Sequence, residues 1–290
     1  MKNVDPGVSD FKVDGKIVSD GRTKSEILSK KFSSVFTNED LTTIPAVGTE
    51  PKPAIGPLTL TIPGVIKQLQ CLKPNKASGP DEIPPWFPKD YALEIDPILT
   101  ALYQTSIDTG HVPSKWKRAN VCGVFKNGEK SDPSNYRPIS LTCILSKVLE
   151  HIIHSHIMKH LERHAILTDV QHGFGAKRST VTQLILTIQD MAKTIQENNS
   201  VQAAVLDFSK AFDKVTHKCL IYKLHHYGIR RPLSSWIESF LSVYRASKNA
   251  YFHLYFPRTI REWNALPAAI VEADSLARFQ SGLHDYLDSG

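Results

Sequence analysis

The chain has 290 residues, of which 41% are apolar, enough to bury a core and ordinary for a globular protein. Its formal charge of +6 favours a polyanionic partner, although a mildly basic protein without one fits the charge nearly as well. The sequence has no apolar run long enough for a membrane span, no apolar signal core at its start and no CxxC pair among its four cysteines. These features argue against membrane insertion, secretion, a disulfide framework and a zinc site, and we expect an intracellular location.

The first half of the chain is predicted to be largely helical. Residues 1–23 show little periodicity and are predicted to form a surface lead-in, while the prolines of 37–61 indicate a linker or an extended crossing strand. A basic loop with a Gly-Pro turn follows at 72–87. Helical spacing of apolar residues predicts three helices, at 24–36, 62–72 and 95–107, the last with Gly110 as its C-cap.

A hairpin is predicted from 114–126 and 131–141, because Asn127-Gly128 between two extended segments is a hairpin signal. The longest helical pattern comes next, at 140–161. His156, His160 and His164 recur on one face of it, a spacing that could seat a metal. We reject the metal, because metal sites usually recruit carboxylate or cysteine partners and a second shell, and favour the commoner solvated or RNA-facing stripe.

The second half of the chain contains three further predicted helices and one buried strand. Thr180 is predicted to cap the first helix, Gly228 to end the second and Pro232 to begin the third. The apolar run 201–206 is predicted to be a buried strand that ends in Asp207. A carboxylate at a strand tip suits magnesium, although Asp after a short apolar run is more often a turn residue or a cap.

The residues around Asp207 resemble a motif of a known protein family. LDFSKAFDKV, residues 206–215, resembles the first catalytic motif of reverse transcriptases from non-LTR (LINE-type, jockey-like) retrotransposons. LKPNKASGPDEIPP (72–85) and QHGFGAKRST (171–180) resemble two further blocks of that family. Glu82 stands where the family usually has Gly, and Gly175 stands where it usually has Arg.

The resemblance implies an α+β fold, a helix-rich partial right-hand polymerase with fingers and an incomplete palm. Its implied organisation is a lead-in helix and linker (1–61), a partial reverse transcriptase domain (62–242) and a grafted, helical C-terminal tail (243–290). The tail resembles the C-terminal end of the retrotransposon polyprotein. The chain therefore looks like a truncated open reading frame with an internal deletion.

The resemblance also implies site residues and partners. Asp207 would be the catalytic residue and would bind two Mg²⁺ ions, while an RNA template and a DNA primer would be the partners. The implied nucleotide-binding residues are Lys126, Arg137, Phe208 and Phe212. The implied template-binding residues are Lys73, Lys76, Gln171 and Arg178.

One part of the family's site is missing. The second metal-binding unit is an aromatic-x-Asp-Asp hairpin, and no Asp-Asp pair occurs anywhere in this sequence. We therefore expect a catalytically inactive remnant. The alternatives are a nucleic-acid-binding remnant, or a product that folds poorly because the strand at 201–207 lacks its neighbours.

Overall fold

A computed structural model describes residues 8–34, 47–48, 50–175, 177–207, 211 and 215–241. The predicted tail, 243–290, lies outside these residues, as do Phe208 and Phe212. Within the described part the chain is α+β and helix-rich, as predicted. No helix in that part is both long and apolar enough to cross a membrane.

Eight helices and four strands form the described part of the chain. The helices are α1 (Gly21–Ser33), α2 (Ile62–Gln70), α3 (Trp86–Asp90), α4 (Ala92–Thr109), α5 (Ile144–Arg163), α6 (Thr180–Gln196), α7 (His217–His226) and α8 (Leu233–Leu241). The strands are β1 (Phe11–Val13), β2 (Lys16–Val18), β3 (Ala119–Phe125) and β4 (Tyr136–Thr142), and they form two antiparallel pairs, β1–β2 and β3–β4. Seven of these helices confirm the helices that apolar periodicity predicted. Residues 140–142, which the prediction placed in the helix at 140–161, belong to β4 instead.

The prediction of an unpatterned lead-in is wrong for residues 11–18, which form the β1–β2 hairpin. Its turn is Asp14-Gly15, with φ of 50° and 76°, a conformation that Asp and Gly tolerate better than other residues. Phe11 is fully buried, with its ring edge-on to that of Tyr136 at 5.3 Å. The N-terminal hairpin is therefore anchored to β4.

A small core lies between α1 and one face of the β3–β4 hairpin. Gly123 permits a close approach, because a Cβ there would lie 2.8 Å from Leu28 Cδ1 on α1. The opposite face of the hairpin carries the exposed residues Val124, Arg137 and Ile139. The buried members of the core are Phe11, Leu28, Phe32, Val121 and Tyr136.

The larger core is built from α2, α4, α5 and α8. Tyr103 on α4 is fully buried and donates its hydroxyl to the carbonyl of Leu145 at 2.6 Å. Trp236 on α8 donates its indole N–H to Ser106 Oγ at 3.0 Å. Because each buried polar tip has a partner, these aromatic side chains join the helices without the cost of an unpaired donor.

Residues 51–60, called the strap below, form neither helix nor strand and pass over this core, against which Ile55, Leu58 and Leu60 pack. The extended crossing strand, one of the two predictions for 37–61, is therefore not found in this stretch. Lys52 N donates to the His226 carbonyl at 2.8 Å, and Ile55 N donates to the Gly228 carbonyl at 2.9 Å. The strap also reaches α5, where His156 Nε2 bonds the Gly56 carbonyl at 2.9 Å. These bonds tie the strap to the α7–α8 turn and to α5.

The histidine face of α5 has a structural role. His160 is buried, and its Nε2 donates to the Tyr227 carbonyl at 2.7 Å, since a carbonyl can only accept. The His160 and His164 rings lie 4.7 Å apart. Among the described residues no three or more potential ligands gather to hold a metal. His156 and His160 thus bind α5 to backbone carbonyls of the strap and of the α7–α8 turn.

The predicted buried strand at 201–206 is wrong. These residues form no strand, and Val205 and Leu206 are 94% and 82% exposed. A strand needs a neighbour to accept its ladder of hydrogen bonds, and none of the described strands pairs with this segment. The preceding helix, α6, forms as predicted but buries no residue, and Ser179 caps it rather than Thr180.

Candidate nucleotide and nucleic-acid site

Lys126 and Arg137 lie on the exposed face of the β3–β4 hairpin. Arg137 pairs with Val124, and Lys126 N donates to the Asn135 carbonyl at 2.8 Å, one position beyond the last strand pair. The two residues are therefore diagonal neighbours on one face, where such pairs lie about 7–8 Å apart. Both side chains are exposed, and neither belongs to an ion pair within the described residues. This pair could bind two oxygens of one polyphosphate.

The hairpin tip is ordered by its own hydrogen bonds. Tyr136 donates its hydroxyl to the Lys130 carbonyl at 2.8 Å, and Asn135 Nδ2 donates to the Glu129 carbonyl at 3.0 Å. The hydroxyl and the amide of Ser134 both donate to the exposed Asp132 carboxylate. These bonds lower the pKa of that carboxyl, the hydroxyl with the larger effect. These hydrogen bonds hold the backbone at Lys126 and Arg137 in one geometry. Less conformational entropy is therefore lost when a ligand binds.

The middle of the same face is apolar. Val124 and Ile139 are each about half exposed, at 45%, and Cys122 pairs with Ile139. Burial raises the pKa of the Cys122 thiol, so the group is uncharged at neutral pH. The face thus has cations at its tip and an apolar strip along its length.

The basic loop at 72–87 packs against the base of the hairpin. A Cβ at Gly79 would lie 2.6 Å from the backbone nitrogen of Cys143, so only glycine permits this approach. Lys73 and Lys76 lie in the exposed stretch before Gly79. Glu82 adopts a left-handed backbone conformation, φ 58°, which explains why a glycine suits this position.

The two predicted template residues of the 171–180 loop take part in local hydrogen bonds. Gln171 Nε2 donates to the Gly173 carbonyl at 3.3 Å. Arg178 Nη2 donates to Asp169 Oδ1 at 2.8 Å, while its Nη1 bonds the Asp169 carbonyl and contacts His172 Nε2 at 3.4 Å. Asp169 was missed from the sequence, because nothing in the spacing of nine residues indicates the loop closure that brings it to Arg178.

Asp207 is exposed at the end of the unpaired 201–207 segment. Two Mg²⁺ ions need several carboxylate oxygens held in register. Around Asp207 the described residues provide no group of three or more potential ligands. The arrangement therefore does not fit a two-metal site, and the roles predicted for Phe208 and Phe212 lie outside the described residues.

Comparison with known families supports the motif resemblance. The family described as reverse transcriptase (RNA-dependent DNA polymerase) matches residues 126–270, half of the chain. The matched region begins at Lys126 on the exposed hairpin face and includes Arg137, the 171–180 loop and Asp207.

Similar curated proteins come from Drosophila melanogaster. The chain is 28% identical over 204 residues to a probable RNA-directed DNA polymerase from transposon BS, covering 68% of this chain and 22% of that protein. It is 30% identical over 168 residues to a probable polymerase from transposon X-element, covering 58% and 18%. It is 29% identical over 135 residues to the polymerase from mobile element jockey, covering 46% and 14%. The chain thus spans about a fifth of the length of these relatives.

Proposed function

Since the chain belongs to the reverse transcriptase (RNA-dependent DNA polymerase) family, with RNA-directed DNA polymerases of non-LTR retrotransposons as its relatives, we propose that it is an inactive remnant of such an enzyme. One observation carries this proposal. Asp207, the only member of the predicted metal site in this sequence, lies exposed in a segment that pairs with none of the strands that the structure describes. Enzymes of this family use divalent metal ions, and one such carboxylate does not hold two ions in register.

Primer extension tests this proposal. The 290-residue chain is incubated with an RNA template, an annealed DNA primer, deoxynucleotides and either Mg²⁺ or Mn²⁺, beside an active reverse transcriptase as positive control. We expect no template-dependent incorporation. The Asp207→Ala variant controls for contaminating polymerase, and incorporation by the wild type that this variant abolishes would overturn the proposal.

A second function, nucleic-acid binding without polymerisation, is favoured by the hairpin. The β3–β4 hairpin is intact, and Lys126 and Arg137 face solvent together without an ion-pair partner in the described part of the chain. Lys73 and Lys76 add positive charge to the loop that packs at the base of the hairpin. Such a surface suits RNA phosphates, and its binding should depend steeply on salt.

Fluorescence anisotropy with a labelled single-stranded RNA, measured from 50 to 300 mM KCl, tests this second function. We expect affinity to fall linearly with the logarithm of the salt concentration. The Lys126→Gln/Arg137→Gln variant should bind more weakly than a control with the same net charge, Lys16→Gln/Lys30→Gln, which changes exposed residues of β2 and α1. Absence of wild-type binding at 50 mM KCl would exclude this function.

A further inference from the structure

The turn that leads into β3 has the densest positive charge of the chain. Lys115, Lys117 and Arg118 occupy three of four consecutive positions, and no other four consecutive residues of the sequence contain three Lys or Arg. No acidic residue occurs between Asp108 and Glu129. Neighbours along the chain therefore do not offset this positive charge. The set Lys115, Lys117 and Arg118 is called the basic turn below.

The core holds the basic turn in place. Trp116 is buried, with its ring edge-on to Tyr103 of α4 at 5.6 Å, and its amide donates to the Pro113 carbonyl at 3.0 Å. The Cys143 thiol donates to the Lys115 carbonyl at 3.6 Å, and burial raises the pKa of that thiol to about 11, so the donor proton is retained. The backbone that carries the three cations is consequently fixed before any ligand arrives.

The three cationic side chains of the basic turn are available to bind a ligand. Lys115 and Arg118 are exposed and Lys117 is half-buried. None of the three belongs to an ion pair among the residues that the structure describes. Arg178 differs, since its guanidinium is bound to the Asp169 carboxylate.

The basic turn is too far from the hairpin tip to share a nucleotide with it. Arg118 and Lys126 are eight residues apart along one strand, which is roughly 26 Å at 3.3 Å per residue. That distance exceeds the length of a nucleoside triphosphate. The loop that carries Lys76 packs beside the basic turn, because Gly79 lies against the Cys143 backbone and the Cys143 thiol donates to the Lys115 carbonyl. A ligand that engages both ends of the hairpin must therefore carry phosphates over a long distance.

We propose that the basic turn is a phosphate-backbone site for single-stranded nucleic acid, separate from the nucleotide end of the hairpin. The inference rests on the proposed nucleic-acid binding and adds a second location to it. Between the two groups of cations lies the apolar strip of Cys122, Val124 and Ile139, against which the apolar faces of nucleobases can pack. A purely acidic peptide such as polyglutamate would provide carboxylates for the cations but no apolar side chain for that strip.

The test uses the full chain, labelled single-stranded RNA and KCl from 50 to 300 mM. The Lys115→Gln/Lys117→Gln/Arg118→Gln variant is compared with Lys16→Gln/Lys30→Gln/Lys193→Gln, which removes the same charge from β2, α1 and α6. Each phosphate contact to a single strand contributes about 0.7 to the log–log salt slope, so three lost contacts lower it by about 2. From 50 to 200 mM KCl the wild type should then lose about 20-fold more affinity than the basic-turn variant. Thermal melts of both variants check that they fold.

Each possible result either supports or overturns the inference. A flatter salt slope for the basic-turn variant, with a wild-type slope for the control, supports it. Equal slopes for the two variants overturn it and leave nucleic-acid binding by the hairpin tip in place. Competition by polyglutamate as effective as that by unlabelled RNA also overturns it, since the surface would then be a general polyanion site. No binding by the wild type rejects the proposed nucleic-acid binding together with this inference.

Discussion

A Cβ on Gly79 would lie 2.6 Å from the backbone nitrogen of Cys143, so the basic loop approaches the start of α5 only because residue 79 lacks a side chain. The neighbouring contact, 2.7 Å to the Thr142 carbonyl carbon, is also to backbone and cannot be relieved by a rotamer change. This contact joins the loop carrying Lys73 and Lys76 to the end of β4.

Gly79→Ala should therefore destabilise the protein, by about 1–3 kcal/mol, because the loop must move away from β4 and α5. Urea unfolding followed by circular dichroism measures the change. Gly56→Ala is the matched control, since a Cβ there meets nothing within 4 Å. Equal stability of the two variants would show that the loop does not pack as described.

Glu82→Gly should stabilise the protein. Glu82 adopts φ 58°, a left-handed conformation that costs a residue with a side chain about 1–2 kcal/mol. Glycine avoids that cost but loses about 0.5–1 kcal/mol of chain entropy, which leaves a net gain of up to about 1.5 kcal/mol. Urea unfolding measures it, with Glu82→Gln as control. A gain for the Gln variant as large as that for Gly would assign the effect to charge instead of backbone strain.

Asp96 should make stability depend on pH. Burial raises the pKa of this carboxyl, and a hydrogen bond from Thr100 opposes the rise. Among the described residues, Asp96 Oδ2 has no hydrogen-bond partner. Because the pKa is higher in the folded state than the unfolded value near 3.8, folding takes up a proton between the two pKa values. The contribution of Asp96 to the unfolding free energy therefore falls as the pH rises through the folded-state pKa.

Asp96→Asn removes this titration. The unfolding free energy of the Asn variant minus that of the wild type should be largest at pH 7 and should shrink as the pH is lowered towards 4. Asp90→Asn, on the exposed part of α3, provides the control for general charge effects. A difference that is constant across the pH range contradicts the assigned cause.

Asp169→Asn should weaken the binding of Arg178 to its own loop, leaving the bond to the Asp169 backbone carbonyl. The Asp169 carboxylate accepts from Arg178 Nη2 at 2.8 Å, and without its charge the guanidinium can bind a phosphate. We expect affinity for single-stranded RNA to rise a few-fold more than in Asp190→Asn, which removes an exposed charge on α6. Equal affinities for the two variants would indicate that Arg178 does not contact RNA.

Ile188→Gln should leave stability nearly unchanged, within about 0.5 kcal/mol, because Ile188 is 64% exposed on a helix that buries no residue. Leu149→Ala in the main core should cost about 2–5 kcal/mol in the same urea experiment. A loss above about 1 kcal/mol for Ile188→Gln would mean that α6 packs against another part of the protein. Improved solubility of the Gln variant would show that the apolar face of α6 promotes aggregation.

The sequence predicted elements whose signals are local. Helical periodicity and caps identified α4 with Gly110 and α7 with Gly228, because these signals act within one or two turns of the chain. The β1–β2 hairpin had a local signal too, Asp14-Gly15, which the prediction of a lead-in overlooked.

Features that depend on contacts between residues far apart in the chain could not be predicted from the sequence. Val201 to Leu206 has the composition of a buried strand, but composition cannot supply the adjacent strand that makes one. The Arg178–Asp169 bond and the Gly79–Cys143 contact likewise depend on how loops close in space. For the site, family resemblance identified Lys126 and Arg137, and their shared exposed face became evident only from the register of β3 and β4.

The strap also constrains the order in which the protein can fold during synthesis. Lys52 and Ile55 bond to carbonyls of His226 and Gly228, about 170 residues later in the chain. At about 5–20 residues per second, a ribosome needs roughly 10–30 s to make that intervening length. During this interval the Lys52 and Ile55 amides have only water or transient partners. The last described helices therefore complete a region whose first residues were made many seconds earlier.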